Sequence, residues 1–216
     1  MSEIIVLKCV LLGEASVGKS SLINRFINGN FNKDSLPTIV GCYSTKELLF
    51  EKENIKIKYE IWDTAGQEKY RALNKIFYQD AYINILVYDI TNENSFKALK
   101  DYWIEEVREN GPKDAIIVIA GNKSDLYENE AVDENEVKEY CKSIDALYQQ
   151  TSAQSGEGVN ELFNMIGKEI LSPQYLEEIK KLNEKKKVGN SSTMIYSSVS
   201  SLDGTINKNN KKKKCC

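Results

Sequence analysis

The sequence contains no histidine, only three prolines and no apolar run long enough to cross a bilayer. The lack of histidine excludes His-based triads, the usual His-ligated zinc sites and histidine general bases. Any catalysis must therefore depend on carboxylates, amides, lysines or metal-bound water. Cys9, Cys42 and Cys141 stand alone, and no cysteine spacing predicts a zinc site or a disulfide framework, which favours a reducing, intracellular setting.

Charge is divided unevenly along the chain. Residues 180–216 carry ten lysines against Glu184 and Asp203, a balance of +8, so the formal charge of −3 leaves −11 for the rest. The acidic body argues against nucleic acid, and no such partner is expected. The basic tail is typical of segments attracted to an anionic membrane surface.

Apolar runs alternate with segments of helical periodicity up to about Leu171. This alternation predicts a mostly parallel sheet with helices on both faces. Residues 45–63 differ, because two strand-like runs flank the turn-prone EKEN of residues 51–54 and leave no room for a helix, which predicts an antiparallel hairpin. The expected fold is α/β, with six strands, the second of them antiparallel, and five helices.

The segment GEASVGKS, residues 13–20, fits the phosphate-loop pattern G-x-x-x-x-G-K-[ST]. A predicted strand precedes it and a predicted helix follows, so its backbone N–H groups can close on an anion at the helix N-terminus. Lys19 is expected to neutralise the β- and γ-phosphate oxygens and Ser20 to ligate Mg²⁺. A chance glycine turn beside a surface lysine is the alternative, and this context disfavours it. The predicted phosphate-binding residues are Gly13, Ala15, Ser16, Val17, Gly18, Lys19, Ser20 and Ser21.

The tetrapeptide NKSD, residues 122–125, follows a predicted buried strand at the same sheet edge. Guanine presents its N1–H and 2-amino group side by side, so the single carboxylate of Asp125 can accept both, whereas adenine lacks this donor pair. Lys123 can lay its alkyl stem along the base, and Asn122 can tie this loop to the phosphate loop. The TSA of residues 151–153 ends the next strand and can offer a backbone N–H to guanine O6. Alone, the NKSD motif is weak evidence for a guanine site, because Asn and Asp are common in turns. Following a phosphate loop in the same chain, it is specific.

A γ-phosphate sensor is predicted from the segment WDTAGQE, residues 62–68. Asp63 can hold Mg²⁺ through water, Gly66 can offer its N–H to the γ-phosphate, and Gln67 can orient an attacking water. Thr38, in a long upstream loop, can add its hydroxyl to the metal. Taken in isolation, a solvated loop amide at Gln67 and a turn hydroxyl at Thr38 are the favoured interpretations.

Together these motifs resemble the Ras-like small GTPases, a P-loop NTPase family, and most closely the Rab branch. IWDTAGQEKYRAL, LVYDITNENSF, GNKSDL and the final CC carry the resemblance, which covers about Ile4 to Leu171. GEASVGKSSL, QEKYRAL and AVDENEV lean toward the early-endosomal Rab subgroup. The resemblance implies a GTP/GDP switch that uses Mg²⁺, hydrolyses GTP slowly and regulates vesicular traffic.

The resemblance also implies individual roles and partners. Phe31 is expected beside the guanine, and residues 31–46 and 64–80 are expected to be the two switches. Effectors are expected to bind an aromatic triad of Tyr43, Trp62 and Phe77, although Trp62 can equally be a core residue. The expected partners are an exchange factor, a GTPase-activating protein, a GDP-dissociation inhibitor, an escort protein and effectors, acting on a monomer.

Three positions depart from the family pattern. Val40 follows the switch Thr-Ile where glycine is usual, Gln150 replaces the expected Glu before TSA, and Gln154 replaces the usual Lys after it. Gln154 is still expected to bind nucleotide with Ser152 and Ala153, with a weaker apolar contact. These departures keep open a nucleotide-locked adaptor with negligible hydrolysis, and an ATP-using P-loop enzyme is disfavoured by Asp125.

The predicted domains are a GTP-binding domain over residues 1–171 and a flexible tail over 172–216, which is Ser/Asn/Lys-rich and lacks periodicity. Cys215 and Cys216 resemble the family's double geranylgeranylation signal. Two prenyl chains and the four preceding lysines supply enough signals for stable anchoring. The expected location is the cytoplasmic face of intracellular membranes, endosomal by preference, with a cytosolic GDP-bound pool.

Overall fold

The computed structural model describes residues 3–34, 36–38, 41–65, 71–177 and 179, with the side chains of 71–74 excepted. A first compact unit ends at Lys168 and a second begins at Glu169. In the second unit, residues 173–177 are helical. The sheet and the candidate site belong to the first unit.

One six-stranded sheet organises the first unit. Its strands are β1 (Glu3–Leu12), β2 (Cys42–Phe50), β3 (Ile55–Asp63), β4 (Ile83–Asp89), β5 (Ile116–Asn122) and β6 (Leu147–Thr151). They lie in the order β2-β3-β1-β4-β5-β6, and only the β2–β3 pair is antiparallel. The predicted sheet, including its antiparallel second strand, is confirmed.

The β2–β3 hairpin turns at the EKEN segment, as the sequence predicts. Residues 51–54 form the turn, Asn54 adopts a positive φ of 53°, and its N–H donates to the Glu51 carbonyl over 3.2 Å. Asparagine tolerates this left-handed conformation better than most residues. The hairpin leaves β2 at the edge of the sheet, next to the loop that contains Thr38.

The helices are α1 (Lys19–Asn28), α2 (Arg71–Tyr78), α3 (Glu93–Ala98), α4 (Ile104–Asn110), α5 (Glu134–Ser143) and α6 (Val159–Ile170). A π-helical turn, Leu99–Trp103, joins α3 to α4, so these three segments follow one another without a loop. They occupy one predicted helix, so the described residues up to Leu171 contain the five helices expected. A 3₁₀ helix, Ser124–Asn129, follows β5.

The sheet is the centre of the hydrophobic core. All seven residues of β4 and all seven of β5 are buried, which is the pattern of strands covered on both faces. On one face, a cluster that includes Tyr88, Phe96 and Trp103 packs the sheet against α3–α5. On the other, Phe26 of α1 stacks on Phe163 of α6 with ring centroids 3.5 Å apart. Because five of the six strands run parallel, their carboxyl ends lie at one edge of the sheet, where the loops of the candidate site lie.

Candidate nucleotide-binding site

One cleft of about 370 Å³ joins the predicted phosphate and base residues. Among the predicted site residues, those lining it are Ala15, Ser16, Gly18, Lys19, Ser20, Ser21, Phe31, Thr38, Asn122, Lys123, Asp125, Ala153 and Gln154. Gly13, Val17 and Ser152 are buried behind this lining. Residues that are distant in sequence thus meet at the carboxyl end of the sheet.

Two positions of the phosphate loop, Gly13 and Gly18, require glycine because of their backbone conformation and their close contacts. Gly13 has a φ of +135°, and a Cβ there would lie 2.2 Å from the Val87 carbonyl oxygen. Gly18, the N-cap residue of α1, has a φ of +98°, and its Cβ would lie 2.3 Å from Asn122 Nδ2. Both positions combine a left-handed backbone with a close approach that only glycine permits. The loop between them leads directly into the helix N-terminus.

Lys19 begins α1 with its side chain almost fully buried, 5% exposed. Its Nζ donates to the carbonyls of Gly13 and Glu14, each over 2.8 Å. Burial lowers the pKa of Lys19 to about 8, and the charges of Asp63 and Glu14 oppose this shift. A buried ammonium held across the mouth of a glycine loop has the placement needed to attract anionic oxygens.

Ser20, Thr38 and Asp63 converge although they come from a helix, a loop and a strand end. Ser20 Oγ and Thr38 Oγ1 are 2.6 Å apart, and Thr38 Oγ1 donates to Asp63 Oδ2 over 3.3 Å. Among the described residues, Asp63 Oδ1 is buried without a hydrogen-bond partner. Burial raises the pKa of Asp63, while hydrogen bonds from Ser20 and Thr38 and the charge of Lys19 lower it. Two hydroxyls and a carboxylate with an unsatisfied oxygen are a donor set that fits Mg²⁺.

Asn122 connects three loops with one buried side chain. Its Nδ2 donates to the Val17 carbonyl over 2.8 Å, which ties the end of β5 to the phosphate loop. Its Oδ1 accepts from the Ala153 N–H over 3.2 Å and from Thr151 Oγ1 over 3.4 Å. The Ala153 N–H, one of the backbone donors of the predicted TSA loop, therefore already has an acceptor inside the protein.

Lys123 and Asp125 are both held by neighbouring polar groups. Lys123 has a positive φ of 69°, and its Nζ lies 2.5 Å from Asp89 Oδ2. Ser152 Oγ donates to Asp125 Oδ1 over 2.5 Å and accepts from the Ser155 N–H over 2.9 Å. The carboxylate of Asp125 thus has a fixed orientation at the wall of the cleft.

The predicted aromatic triad is assembled on the surface beside the β2–β3 pair. The ring centroids of Tyr43 and Trp62 are 5.0 Å apart, and those of Trp62 and Phe77 are 5.5 Å apart. Trp62 is half-buried and packs against the core cluster. Its burial agrees with both interpretations, a member of the triad and a core residue. A Cβ at Gly41 would lie 2.6 Å from Phe77 Cζ, so a larger residue there would require the Phe77 ring to move.

Several predicted residues lie outside the described part of the chain. They are Val40, Gly66, Gln67, Cys215 and Cys216, together with the basic tail from Lys180 onward. Their roles stay predictions.

The structure adds site residues that sequence analysis did not identify. Asp89, at the carboxyl end of β4, accepts from Lys123, and Thr64 Oγ1 donates to the Leu11 carbonyl over 2.6 Å at the cleft. Trp103 Nε1 donates to Glu14 Oε1 over 3.1 Å, which joins the π-helical turn to the phosphate loop. The sequence could have identified Asp89, because it ends a predicted buried strand at the same sheet edge. It offers no feature that predicts the Trp103 contact, whose partners are 89 residues apart.

None of the helices in the described ranges is long and apolar enough to cross a membrane.

Comparison with known proteins places this arrangement in a family. Residues 8–172 match the family model described as Ras family. The chain is 43% identical over 166 residues to the Ras-related protein Rab-22A of Homo sapiens, covering 77% of this chain and 84% of that one. It is 39% identical to the Ras-related protein RabJ of Dictyostelium discoideum over 181 residues, which are 84% of this chain and 70% of that one. It is 37% identical to the GTP-binding protein YPT53 of Saccharomyces cerevisiae over 176 residues, 79% of each chain. The chain therefore belongs to the Ras family, in its Rab branch, and is a GTP-binding switch of vesicular traffic that hydrolyses GTP to GDP.

Proposed function

We propose that the cleft performs this switch function through the residues identified above, and that the protein acts on endosomal membranes. The observation that carries the proposal is the single cleft lined by Lys19, Ser20, Thr38 and Asp125, with Asp63 bonded to Thr38. It provides for phosphate, metal and base in one continuous space. The similarity to Rab-22A supports the endosomal assignment.

At the phosphate end, Lys19 and the backbone N–H groups of residues 13–21 hold the β- and γ-phosphates. Ser20 and Thr38 would hold Mg²⁺ directly, and Asp63 would hold it through water. When bound, Mg²⁺ neutralises the charge on the phosphate oxygens. The unsatisfied oxygen of Asp63 supports its part in this role, because a buried carboxylate needs a positively charged or donor partner.

At the base end, Asp125 accepts from the guanine N1–H and 2-amino group, and Ser152 fixes its carboxylate. Lys123, Phe31 and the apolar part of Gln154 contact the base and the sugar. Asn122 holds the base loops at a set distance from the phosphate loop. Guanine selectivity follows, because a carboxylate cannot accept from the adenine edge that lacks these two donors.

The switch depends on contacts to the γ-phosphate that only GTP provides. The Thr38 hydroxyl and the Gly66 N–H hold the two switch segments in the effector-binding form while GTP is bound, and they release them after hydrolysis. Gln67 orients the attacking water. Turnover is slow without a partner because the cleft contains no arginine among its described lining residues, and a GTPase-activating protein supplies the missing charge.

Proteins of the Rab branch work with regulators and effectors and associate with membranes. For this chain, we propose that Tyr43, Trp62 and Phe77 bind effectors and that an exchange factor, a GDP-dissociation inhibitor and an escort protein act on it. Cys215 and Cys216 carry geranylgeranyl groups at the end of the tail, residues 172–216, whose lysines face anionic lipid. The GDP-bound form has a cytosolic pool.

A nucleotide-locked adaptor with negligible hydrolysis is the alternative considered for this sequence. The relatives do not support it. One experiment tests both it and the catalytic residue: purified protein is denatured and its released nucleotide identified, and single-turnover GTP cleavage is then compared between the parent and Gln67→Leu. We expect GDP from the parent, and in the variant retained GTP binding with cleavage slowed by roughly a hundredfold or more.

The outcomes separate the alternatives. Equal cleavage rates in parent and variant would remove Gln67 from the mechanism. Intact GTP released from the parent would favour the locked adaptor, and released adenine nucleotide would contradict the base assignment.

A further inference from the structure

A half-buried arginine on α1 holds the loop at the base end of the cleft. Arg25 Nε donates to the Ala153 carbonyl over 2.8 Å, and Nη2 donates to the Gln154 carbonyl over 2.5 Å. Nη1 donates to the carbonyl of Gly29, the C-cap residue of α1, over 2.5 Å. The guanidinium therefore fastens the 152–156 loop to the last turn of α1.

The carbonyls that Arg25 binds belong to the part of the loop that contacts the predicted base residues. Ser152, one residue earlier, donates to the Asp125 carboxylate, and the Ala153 N–H donates to Asn122 Oδ1. Gln154 itself lines the cleft. A shift of this loop would therefore move the hydroxyl that orients Asp125 as well as the wall of the base site.

The opposite end of α1 carries the phosphate and metal residues. Lys19 and Ser20 occupy its first turn, and Arg25 lies in its last turn. A ten-residue helix is a rigid spacer. The contacts of Arg25 consequently set the distance between the base loop and the phosphate loop from one side, as Asn122 does from the other.

The site requires arginine in particular. The planar guanidinium of arginine directs several N–H groups at once in a fixed geometry, whereas a lysine ammonium is a single flexible point. Gly156 lies against the side-chain stem, where its Cβ would stand 3.4 Å from Arg25 Cδ. Beside the stem, Arg25, Gly156 and Lys46 line an open cleft of about 300 Å³, so water would enter if the side chain were removed.

We infer that Arg25 is a positioning residue for guanine recognition: it holds the 152–156 loop so that Ser152 orients Asp125, without itself lining the nucleotide cleft. This inference rests on the proposed guanine site. It predicts a specific loss, in which the base end loosens while the phosphate and metal end keeps its geometry.

The test compares Arg25→Gln with Arg25→Lys and with a matched control, Arg108→Gln. Arg108 also lies outside the lining of the cleft and donates from its guanidinium to a backbone carbonyl over 2.9 Å, but that carbonyl belongs to Ile144, outside the 152–156 loop. GDP release is followed with a fluorescent GDP analogue, and affinities are measured for GDP and for inosine diphosphate, which lacks the 2-amino group that Asp125 accepts. The acceleration of GDP release on chelating Mg²⁺ is measured for each protein.

For Arg25→Gln we expect GDP release roughly ten-fold faster and the preference for GDP over inosine diphosphate reduced about three-fold. The acceleration on chelation should equal that of the parent, because Ser20 lies at the other end of α1 and Thr38 and Asp63 belong to other elements. Arg25→Lys should recover part of both losses, and Arg108→Gln should behave like the parent.

A base preference unchanged in Arg25→Gln, or equal changes in Arg25→Gln and Arg108→Gln, would overturn the inference and assign Arg25 to general stability. A parent protein that does not bind GDP would instead contradict the proposed function. If Arg25→Gln fails to fold, Arg25→Lys decides: retention of the full preference for GDP would overturn the inference.

Discussion

The two ends of the cleft differ in how their polar groups are satisfied. At the base end, Asn122, Asp125 and Ser152 are bonded to other protein groups, and Asn122 alone accounts for three of these bonds. At the phosphate end, Asp63 keeps a buried oxygen without a partner among the described residues, and burial depresses the pKa of Lys19.

This difference indicates which polar groups are stabilised by contacts within the folded protein and which are stabilised only when a ligand binds. The base end is built by contacts that exist within the protein, so its geometry is part of the stability of the fold. The phosphate end buries charged groups, at a desolvation cost that oppositely charged ligands offset. Substitutions at the base end should therefore reduce stability and selectivity together, and those at the phosphate end should reduce chiefly the affinity for phosphate and metal.

The largest effect that would test this comparison is expected from Lys19→Met. The substitution removes the buried ammonium that faces the phosphate loop, and we expect GDP affinity to fall by roughly a hundredfold or more, because several charge-assisted hydrogen bonds are lost together. Titration calorimetry would measure it. Lys33→Met is the matched control, since Lys33 also lines the cleft but is exposed. Equal losses in the two variants would mean that positive charge anywhere in the cleft suffices.

A pair of serine variants would sharpen the comparison directly. Ser20→Ala and Ser152→Ala each remove one hydroxyl, from the metal group and from the Asp125 support respectively. The thermal midpoint of the GDP-loaded protein would be measured with Mg²⁺ and with a chelator. We expect Ser20→Ala to abolish most of the difference between the two conditions. Ser152→Ala should lower both midpoints by a similar amount. The free energy of unfolding should fall by about 1–3 kcal/mol, because the substitution leaves Asp125 and the Ser155 N–H without their partner.

The reverse pattern, in which Ser152→Ala removes the Mg²⁺-dependent difference, would contradict the division between the two ends.

The smallest expected effect is a gain, from Gln154→Lys. Gln154 is exposed at the rim of the base end, and a lysine would add methylene groups along the nucleotide while leaving the backbone carbonyl bonded to Arg25. We expect GDP affinity to rise about three-fold, in keeping with one more buried methylene. Competition between labelled and unlabelled GDP would detect this. Gln150→Lys serves as the control, and a gain there too would indicate a general effect of positive charge.

Local patterns predicted most of the fold because they reflect local physical requirements. Two-sided burial made β4 and β5 continuous apolar runs, and EKEN marked the antiparallel turn, where Asn54 adopts a positive φ. The phosphate loop was recognisable because its glycines face backbone and side-chain atoms that no Cβ can approach, as at Gly13 and Gly18.

The sequence by itself determined the alternation of strands and helices, the antiparallel second strand and the phosphate-loop pattern, since each depends on short-range spacing. Only the tertiary structure decided which distant groups meet. The Arg25 contact to Ala153 spans 128 residues, and neither partner has a sequence signal, because a backbone carbonyl is common to every residue. Likewise the fit of Gly41 under Phe77 depends on how α2 packs beside β3. Long-range packing produces no periodic pattern in the sequence, so the sequence alone does not predict these contacts.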